Sequence, residues 1–539
     1  MARIRVAVSR LTALLLPALL VLAGCSATPG GVGGTEFVRV NGAIPAYPLL
    51  PTDADDPHQR RVLDRIFAGL VSYDAAGTST PEVAESIETV DNRVFRIRLE
   101  PGWQFTDGSP VTAHSFVDAW NYGASSTNGQ ALQAYFAPIE GYEQVSGPEQ
   151  AAETMSGLQV VDDTEFVVRL KVPNGDFVQR LGFAAFYPLP AVAFEDMAAF
   201  GRQPIGNGPY VLAGGASSRG LDLVPNPDYR GNRVPQNRGL RFIPYPDLDA
   251  AYRDLLAGKL DVLDTIAPGA SATAEEDLDG RMVTGVAAQN QTLNTPLRLK
   301  HFGGEEGRLR RLALSTAIDR AGICAQVFGG SRVPAQDFTS ASLPGFTPGL
   351  ADGYLLEYNP KLARHLWVRA DAIAPWRGRY TITYNADGDH RAWVEAVAES
   401  IRGTLGIDVV TVAVPTFAAL RGDVDDRVID TAFRAGRVAD HPSMLAFLEP
   451  YVTGAPDNDV DYSNRDFDGA LTAAQSAPTP AGSYALGNAA QRILLRDMPV
   501  IPLWNHVVTA GHSAAVTDVV IGWNGQPDYE RIVRDGRSR

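Results

Sequence analysis

Hydrophobic and polar residues alternate with a period of two in some segments of the chain and recur with a helical period in others. Residues 35–41 and 94–99 alternate, and alternation over such short runs predicts strands. Residues 58–67 place their apolar positions three to four residues apart directly after Asp56-Pro57, so we expect a helix to begin there. Elements of both kinds are therefore predicted within the first hundred residues.

A strand–helix–strand unit is predicted in the second half of the chain. Residues 380–384 and 407–414 have strand-like patterns, and residues 393–406 between them have helical spacing. The helix is expected to end at Gly406, because glycine suits a helix C-cap. With 52 glycines and 37 prolines to form turns, the pattern predicts a mixed α/β (α+β) protein.

The stretch Thr431–Asp440 has the pattern of a buried strand that ends in a carboxylate. His441-Pro442 follows, and residues 443–448 then resemble the start of an apolar helix. A strand that runs into a cleft presents unpaired N–H and C=O groups, to which an extended peptide can pair while the carboxylate holds its amino terminus. The alternative is that Asp440 caps the helix that follows.

Composition describes a folded protein and argues against two classes of function. The chain has 539 residues, 45% hydrophobic and 20% charged, which at roughly 150 residues per domain suggests about three or four domains. Its formal net charge of −15 argues against nucleic-acid binding, which requires basic patches. An enzyme is the least favoured class, because we find no nucleophile elbow, zinc-protease motif, P-loop or metal-ligand spacing.

Residues 1–24 have the organisation of a secretory signal peptide. Arginines precede the apolar run 11–22, which is too short to span a bilayer. The sequence Leu-Ala-Gly-Cys25 resembles a bacterial lipobox, which implies cleavage before Cys25 and a stable lipid anchor on its side chain. Residues 25–35 would then be a flexible, glycine-rich tether. The alternative is an ordinary signal peptide with an incidental cysteine.

Cys324 is the other of the 2 cysteines, so a lipidated Cys25 leaves it without a disulfide partner. It lies in residues 311–328, whose spacing predicts one amphipathic helix. We expect a buried structural thiol, since cysteine is among the most buried residue types and no histidine is evidently placed to activate it.

A series of ordered motifs extends from about residue 60 to residue 510. The longest is Gly102-Trp-Gln-Phe-Thr-Asp-Gly-Ser-Pro-Val-Thr-Ala-His114, preceded by Ala84-Glu-Ser86, where a helix is expected to end. Shorter motifs follow at residues 204–212, 223–231, 252–262, 310–327 and 498–503. Together they resemble extracellular solute-binding protein family 5, the oligopeptide- and dipeptide-binding proteins of ABC importers.

The resemblance implies a type II periplasmic-binding-protein fold. In this fold two lobes joined by hinge strands close on the ligand, and in this family an extra subdomain lies on the first lobe. The implied boundaries are 36–74, 203–285 and 508–539 for the first lobe, 75–202 for the extra subdomain and 286–507 for the second lobe.

The resemblance also assigns roles around the stretch 431–440. Asp440 falls on the aspartate that binds the peptide α-ammonium, and Gly436, Arg437, Val438 and Ala439 fall on the strand that pairs with the peptide. Arg437 and His441 depart from the family pattern, which has Trp and Tyr at these positions.

Four further residues are candidates for the same cleft. Arg434 and Arg437 are three apart on one strand and so face opposite sides; one can reach a peptide carboxylate, and we favour Arg437. Tyr135 and Trp504, with Asn505 beside it, are candidate cleft residues, although large aromatic residues more often pack in cores.

The expected function is that of a monomeric lipoprotein on the outer face of the bacterial cytoplasmic membrane. It would capture di- to oligopeptides and deliver them to the permease subunits of an ABC importer, without a cofactor or metal. One alternative keeps the fold and changes the ligand to haem, a sugar or a metal chelate. Another is a non-transport role as an envelope regulator.

Overall fold

The computed structural model describes residues 37–534 except Ala46, Ala216 and Ser218. The predicted signal peptide (1–24), the lipidation site Cys25 and the tether (25–35) lie outside the described residues. In the described part of the chain, no helix is both long enough and apolar enough to cross a membrane.

Strands and helices are both distributed along the whole described length of the chain. The strands are β1 (Val38–Gly42), β2 (Val71–Tyr73), β3 (Ser79–Pro81), β4 (Ala84–Glu88), β5 (Val94–Leu99), β6 (Leu158–Asp162), β7 (Glu165–Arg169), β8 (Tyr210–Leu212), β9 (Leu221–Pro225), β10 (Leu240–Pro244), β11 (Val262–Leu263), β12 (Met282–Asn294), β13 (Arg332–Pro334), β14 (Arg379–Asn385), β15 (Asp408–Val414), β16 (Ala432–Val438), β17 (Val500–His512), β18 (Val516–Thr517) and β19 (Val533–Arg534).

The α-helices are α1 (Pro57–Ile66), α2 (Ala113–Ala124), α3 (Tyr142–Ser146), α4 (Phe177–Arg180), α5 (Met197–Phe200), α6 (Leu248–Leu256), α7 (Ala274–Leu278), α8 (Gly304–Thr316), α9 (Arg320–Phe328), α10 (Pro360–Ile373), α11 (Arg391–Leu405), α12 (Phe417–Asp425), α13 (Arg465–Gln475) and α14 (Pro480–Asp497). Short 3-10 helices lie at Pro51–Asp53, Ser126–Asn128, Gln133–Phe136, Ala184–Phe186, Ala191–Phe194, Pro268–Ala270, Gly353–Leu356, Leu445–Phe447 and Glu449–Tyr451.

A mixed sheet of 11 strands extends through both halves of the fold. Its strand order is β15-β14-β16-β12-β17-β11-β1-β10-β9-β8, with β13 paired to β17. The strands β12 and β17 lie at its centre, are 13 residues long each, and pair antiparallel. Their register shifts between Val286 and Asn290, midway along the pair. We call the half with β1 and β8–β11 the first lobe, and the half with β13–β16 and α8–α14 the second lobe.

Each side of the central strand pair has its own hydrophobic core. One core combines β1 and β8–β10 with a separate four-stranded sheet, β4-β5-β7-β6, and with α2. We call residues 84–200, which carry this sheet and α2–α5, the small-sheet region. The other core lies within the second lobe and includes α8–α11, α13 and α14. The small-sheet region therefore packs on the first lobe through a shared core.

The predicted boundaries of several elements agree with the structure. Helix α1 begins after Asp56, whose side chain accepts a hydrogen bond from the Gln59 amide in a capping box. The strand–helix–strand unit is β14-α11-β15, and Gly406 ends α11 with a φ of +69°. Local signals of caps and periodicity were sufficient for these elements.

Three local predictions were wrong. Residues 311–328 form parts of two helices rather than one, because Asp319 accepts a hydrogen bond from the Gly322 amide and so caps a new helix, α9. Ala84–Ser86 belongs to strand β4 rather than to a helix end. Residues 443–448 form only a 3-10 turn, Leu445–Phe447, and a second 3-10 turn follows.

Candidate functional site

Strand β16 has one paired edge and one edge that is mostly open. On one side it pairs with β12 from Phe433 through Val438. On the other side it pairs with β14 only at Ala432 and Phe433. In the described part of the chain, no strand covers that second edge beyond Phe433. The carboxyl-terminal half of β16 is therefore available for pairing with an added strand.

The register shows which backbone groups face the open edge. The Ala439 N–H donates to the Ala288 carbonyl at 2.8 Å, so residue 439 points its backbone groups toward β12. Backbone groups alternate in direction along an antiparallel strand. Residues 434, 436 and 438 consequently direct their N–H and C=O groups to the open edge. Val438 is 53% exposed and Gly436 is also exposed, so this edge is accessible.

Gly436 is required by a close approach between strands. A Cβ at this position would lie 2.6 Å from the backbone oxygen of Asn290 on β12. A contact this short cannot be relieved by turning a side chain, because the neighbouring atom belongs to the backbone. The glycine therefore lets β16 lie close to β12.

Asp440, directly after the buried Ala439, meets Tyr135 from the small-sheet region. The Tyr135 hydroxyl donates a hydrogen bond to Oδ2 of Asp440, although the residues are 305 apart in sequence. Burial, together with the adjacent Asp440 charge, raises the pKa of Tyr135 well above its ordinary value, so the hydroxyl keeps its proton. The other Asp440 carboxylate oxygen has no hydrogen-bond partner among the residues that the structure describes.

Asp440 does not cap the segment that follows it. The 3-10 turn Leu445–Phe447 has Met444 at its N-cap position and no side-chain cap, and the nearby Ser443 Oγ accepts a hydrogen bond from the Leu445 N–H at 3.1 Å. Asp440 is half-buried, with one oxygen held by Tyr135. The arrangement leaves a fixed carboxylate at the end of an open strand edge.

The two arginines of β16 have different partners. Arg437 Nη2 lies 2.8 Å from Oδ2 of Asp457 in an ion pair. Arg434 donates from Nε to Oδ1 of Asn385 at 2.6 Å and stacks 4.8 Å from the centre of the Phe417 ring. Burial lowers the pKa of Arg434, and no carboxylate of the described chain lies within ion-pairing distance of it. The geometry favours Arg434 for an anionic group, the reverse of the preference from sequence.

Trp504 and Asn505 lie in the interior rather than along a cleft, which corrects their selection as cleft residues. Trp504 is 1% exposed, with its ring centre 5.0 Å from that of Phe328 and 5.2 Å from that of Trp393. The Asn505 side chain donates to the Thr339 carbonyl at 2.9 Å. Both side chains serve the packing of the second lobe.

Trp523 was missed by sequence reasoning and lies next to the end of β16. It packs in one apolar cluster with Ala288 of β12 and with Leu343, Ala439 and Phe447 of the second lobe. Its backbone oxygen accepts a hydrogen bond from the Ala288 N–H at 2.7 Å. A tryptophan beside a glycine turn gave no periodic signal, so only the tertiary structure identifies it.

Two cavities border Trp523. One has a volume of about 580 Å³ and lies between the Tyr73 segment, residues 232–236 and the carboxyl-terminal segment. The other has a volume of about 440 Å³ and is lined by Gly285 and Val286 of β12, residues 341–344 and Ile521. Space for small molecules thus adjoins the central strand pair.

Comparison with known proteins identifies the family. Residues 78–459, well over half of the chain, match the family model of bacterial extracellular solute-binding proteins, family 5. The chain belongs to this family. Members of family 5 are solute-binding proteins. The matches to curated relatives cover most of both chains.

Two such relatives and one solved structure illustrate the similarity. The periplasmic murein peptide-binding protein MppA of Escherichia coli (strain K12) is 27% identical, and the match covers 87% of this chain and 88% of that protein. The periplasmic oligopeptide-binding protein OppA of Haemophilus influenzae is 24% identical, with 92% of each chain covered. The unliganded open form of MppA superposes with a TM-score of 0.81 at 24% identity, covering 93% of this chain and 97% of that one.

The superposition establishes the type II periplasmic-binding-protein fold for this family 5 protein, as expected from the sequence motifs. Within that fold the candidate site combines side chains from separate parts of the chain. Tyr135 comes from the small-sheet region, Asp440 from the second lobe and Trp523 from the carboxyl-terminal segment. The site exists only when these parts are folded together.

Proposed function

We propose that this family 5 protein binds extended peptides along the open edge of β16. The backbone groups of Gly436 and Val438 would pair with the peptide backbone, as in other cases of strand addition. Asp440 would accept the peptide's α-ammonium group, and Tyr135 would hold the carboxylate in place. The observation that carries the proposal is the strand edge that no other described strand covers, which ends in a carboxylate with one oxygen unpartnered among the described residues.

Arg434 is proposed to receive the peptide carboxylate. It precedes Asp440 by six residues, about 20 Å along an extended strand, so a peptide of about five or six residues would reach both. Because no carboxylate of the described residues lies within ion-pairing distance of Arg434, its guanidinium can form a bidentate pair with the peptide's carboxyl terminus. The matched relatives named for murein peptides and for oligopeptides support a peptide as the ligand.

We further propose that the protein is a lipoprotein anchored through Cys25 in the cell envelope, where it passes peptides to the permease subunits of an ABC importer. The periplasmic relatives support this location. We also keep as a proposal the predicted boundaries of the first lobe (36–74, 203–285 and 508–539), the extra subdomain (75–202) and the second lobe (286–507). Replacing Cys25→Ser should release the protein from membranes into the soluble fraction, whereas retention on membranes would contradict the anchor.

Native mass spectrometry of the purified protein tests the ligand class. We expect co-purified masses that fragment as short peptides, and restored binding when pentapeptides are added to unfolded and refolded, ligand-free protein. A protein that binds no peptide but retains haem, a sugar or a metal chelate would support the alternative ligand. A protein that binds none of these would favour a non-transport role in the envelope.

A further inference from the structure

Two side-chain pairs, one arginine–carboxylate and one histidine–carboxylate, join the small-sheet region to the second lobe beside the candidate site. Arg180, at the end of α4, places Nη2 2.6 and 2.8 Å from the two carboxylate oxygens of Glu449. Asp176, which precedes α4, places Oδ2 3.1 Å from Nε2 of His441. The two pairs therefore connect both ends of α4, in the small-sheet region, to the second lobe.

Backbone contacts continue the same interface. The Gly175 N–H donates to the Gln475 carbonyl at 2.5 Å, and the Asn92 side chain donates to the Ala477 carbonyl at 2.8 Å. Glu449 also accepts a hydrogen bond from the Gln475 side chain at 3.1 Å. The interface thus links the two side-chain pairs to α13 of the second lobe.

The ionisable side chains of this interface are largely removed from water. The side chains of Asp176 and His441 are 7% and 5% exposed, and those of Arg180 and Glu449 are 11% and 29% exposed. Removing one member of a buried pair is costly, because the other charge stays buried without a partner. Each pair therefore favours the docked arrangement over one in which the surfaces separate.

The same contacts lie next to the Tyr135–Asp440 hydrogen bond. His441 directly follows Asp440, and Arg180 is three residues before Phe183, whose ring centre is 4.7 Å from that of Tyr135. A shift of α4 away from the second lobe would carry Tyr135 away from Asp440. The two side-chain pairs are thus placed to control this hydrogen bond without touching a ligand.

We propose that Asp176–His441 and Arg180–Glu449 are positioning pairs that hold the small-sheet region on the second lobe before any ligand arrives. Through this docking they keep the Tyr135 hydroxyl on Asp440 and so shape the amine-binding end of the site. The docking itself is independent of the proposed function, and only its effect on the amine end rests on that proposal.

Hydrogen exchange of the ligand-free, full-length protein tests the docking, because the Gly175 amide reports the interface directly. We expect Arg180→Glu to speed exchange at Gly175 by about tenfold or more, as a buried pair is replaced by a repulsion. The double variant Arg180→Glu with Glu449→Arg should return the rate to near that of the parent, since the pair is restored in reverse.

Two references separate docking from general destabilisation. The Leu170 amide, bonded to the Arg93 carbonyl at 2.8 Å within the small-sheet region, should keep its rate in every variant. Asp222→Asn breaks a half-buried pair with Arg241 within the first lobe and should leave Gly175 protected. Should Arg180→Glu not fold, the milder Asp176→Asn is expected to speed exchange at Gly175 in the same direction.

Unchanged exchange at Gly175 in both Arg180→Glu and Asp176→Asn would overturn the inference, as would a double variant no better than Arg180→Glu alone. Peptide binding is measured separately by calorimetry with a free-amine pentapeptide. Fast Gly175 exchange in the variants of a protein that binds no peptide would support the docking and refute the proposed function. Tight peptide binding together with unchanged exchange at Gly175 in the variants would support the proposed function and refute the docking.

Discussion

Replacing Asp440→Asn isolates the charge of the proposed amine contact. The amide has nearly the shape of the carboxylate, and its oxygen can still accept the hydrogen bond of the Tyr135 hydroxyl. The variant therefore keeps the local packing and removes the negative charge that would face a peptide α-ammonium. Protein stability is expected to change little, because Asp440 caps no helix and the described chain gives it no ion pair.

The size of the effect follows from the surroundings of the carboxylate. Removing one partner of a buried, hydrogen-bonded charge pair costs about 2–5 kcal/mol in binding. Asp440 is only half-buried, so we expect a cost at the lower end of this range, about 2 kcal/mol, which corresponds to a roughly 30-fold larger dissociation constant. Isothermal titration calorimetry with a pentapeptide that has free termini measures this change.

Two controls assign the loss to the amine. An amino-terminally acetylated pentapeptide lacks the positive charge, so it should bind weakly to the parent and show little further loss in Asp440→Asn. Asp457→Asn removes an acid that is 54% exposed and paired with Arg437, and it should leave the affinity near that of the parent. Equal affinity of the parent and Asp440→Asn for the free-amine peptide would refute the assignment.

Three other perturbations have expected outcomes. Gly436→Ala would place a Cβ 2.6 Å from the Asn290 oxygen and should lower the free energy of unfolding by about 1–3 kcal/mol in urea titrations; Gly403→Ala, with open space around it, should not destabilise the protein. Arg434→Met should weaken binding of a free-carboxylate pentapeptide by roughly 10- to 150-fold, as measured by calorimetry, and leave the affinity for the same pentapeptide with a carboxamide terminus unchanged. An equal loss of affinity for both pentapeptides would contradict the proposed role of Arg434. Burial raises the pKa of Asp176, but the hydrogen bond and charge interaction with His441 outweigh burial, and the pKa is lowered overall. The ionised Asp176 therefore stabilises the fold above about pH 4, and this stabilisation is lost as pH falls through the lowered pKa. Asp176→Asn should therefore flatten the acid side of a plot of melting temperature against pH, and an unchanged slope would contradict this.

Some features of the candidate site were predictable because their signals are local. The strand pattern of residues 431–440, a glycine within it and a carboxylate at its end are adjacent in sequence. The structure shows β16 there, with Gly436 close to β12 and Asp440 at the end. Ordered motifs along most of the chain were likewise sufficient to predict the fold.

Partners distant in sequence were not predictable in the same way. Tyr135 was a candidate for the cleft, but its bond to Asp440 depends on packing between segments 305 residues apart. Arg437 was preferred over Arg434 because nothing local indicated that Asp457 would neutralise it. Trp504 follows a motif at a strand end, yet only the core of the second lobe shows that its ring is enclosed.

A crystal structure of the protein with a pentapeptide that has free termini tests the central claim most directly. We predict an extended peptide whose backbone pairs with Gly436 and Val438 and whose amino group lies within hydrogen-bonding distance of Asp440. A peptide bound elsewhere, or bound with its amino group away from Asp440, would contradict it.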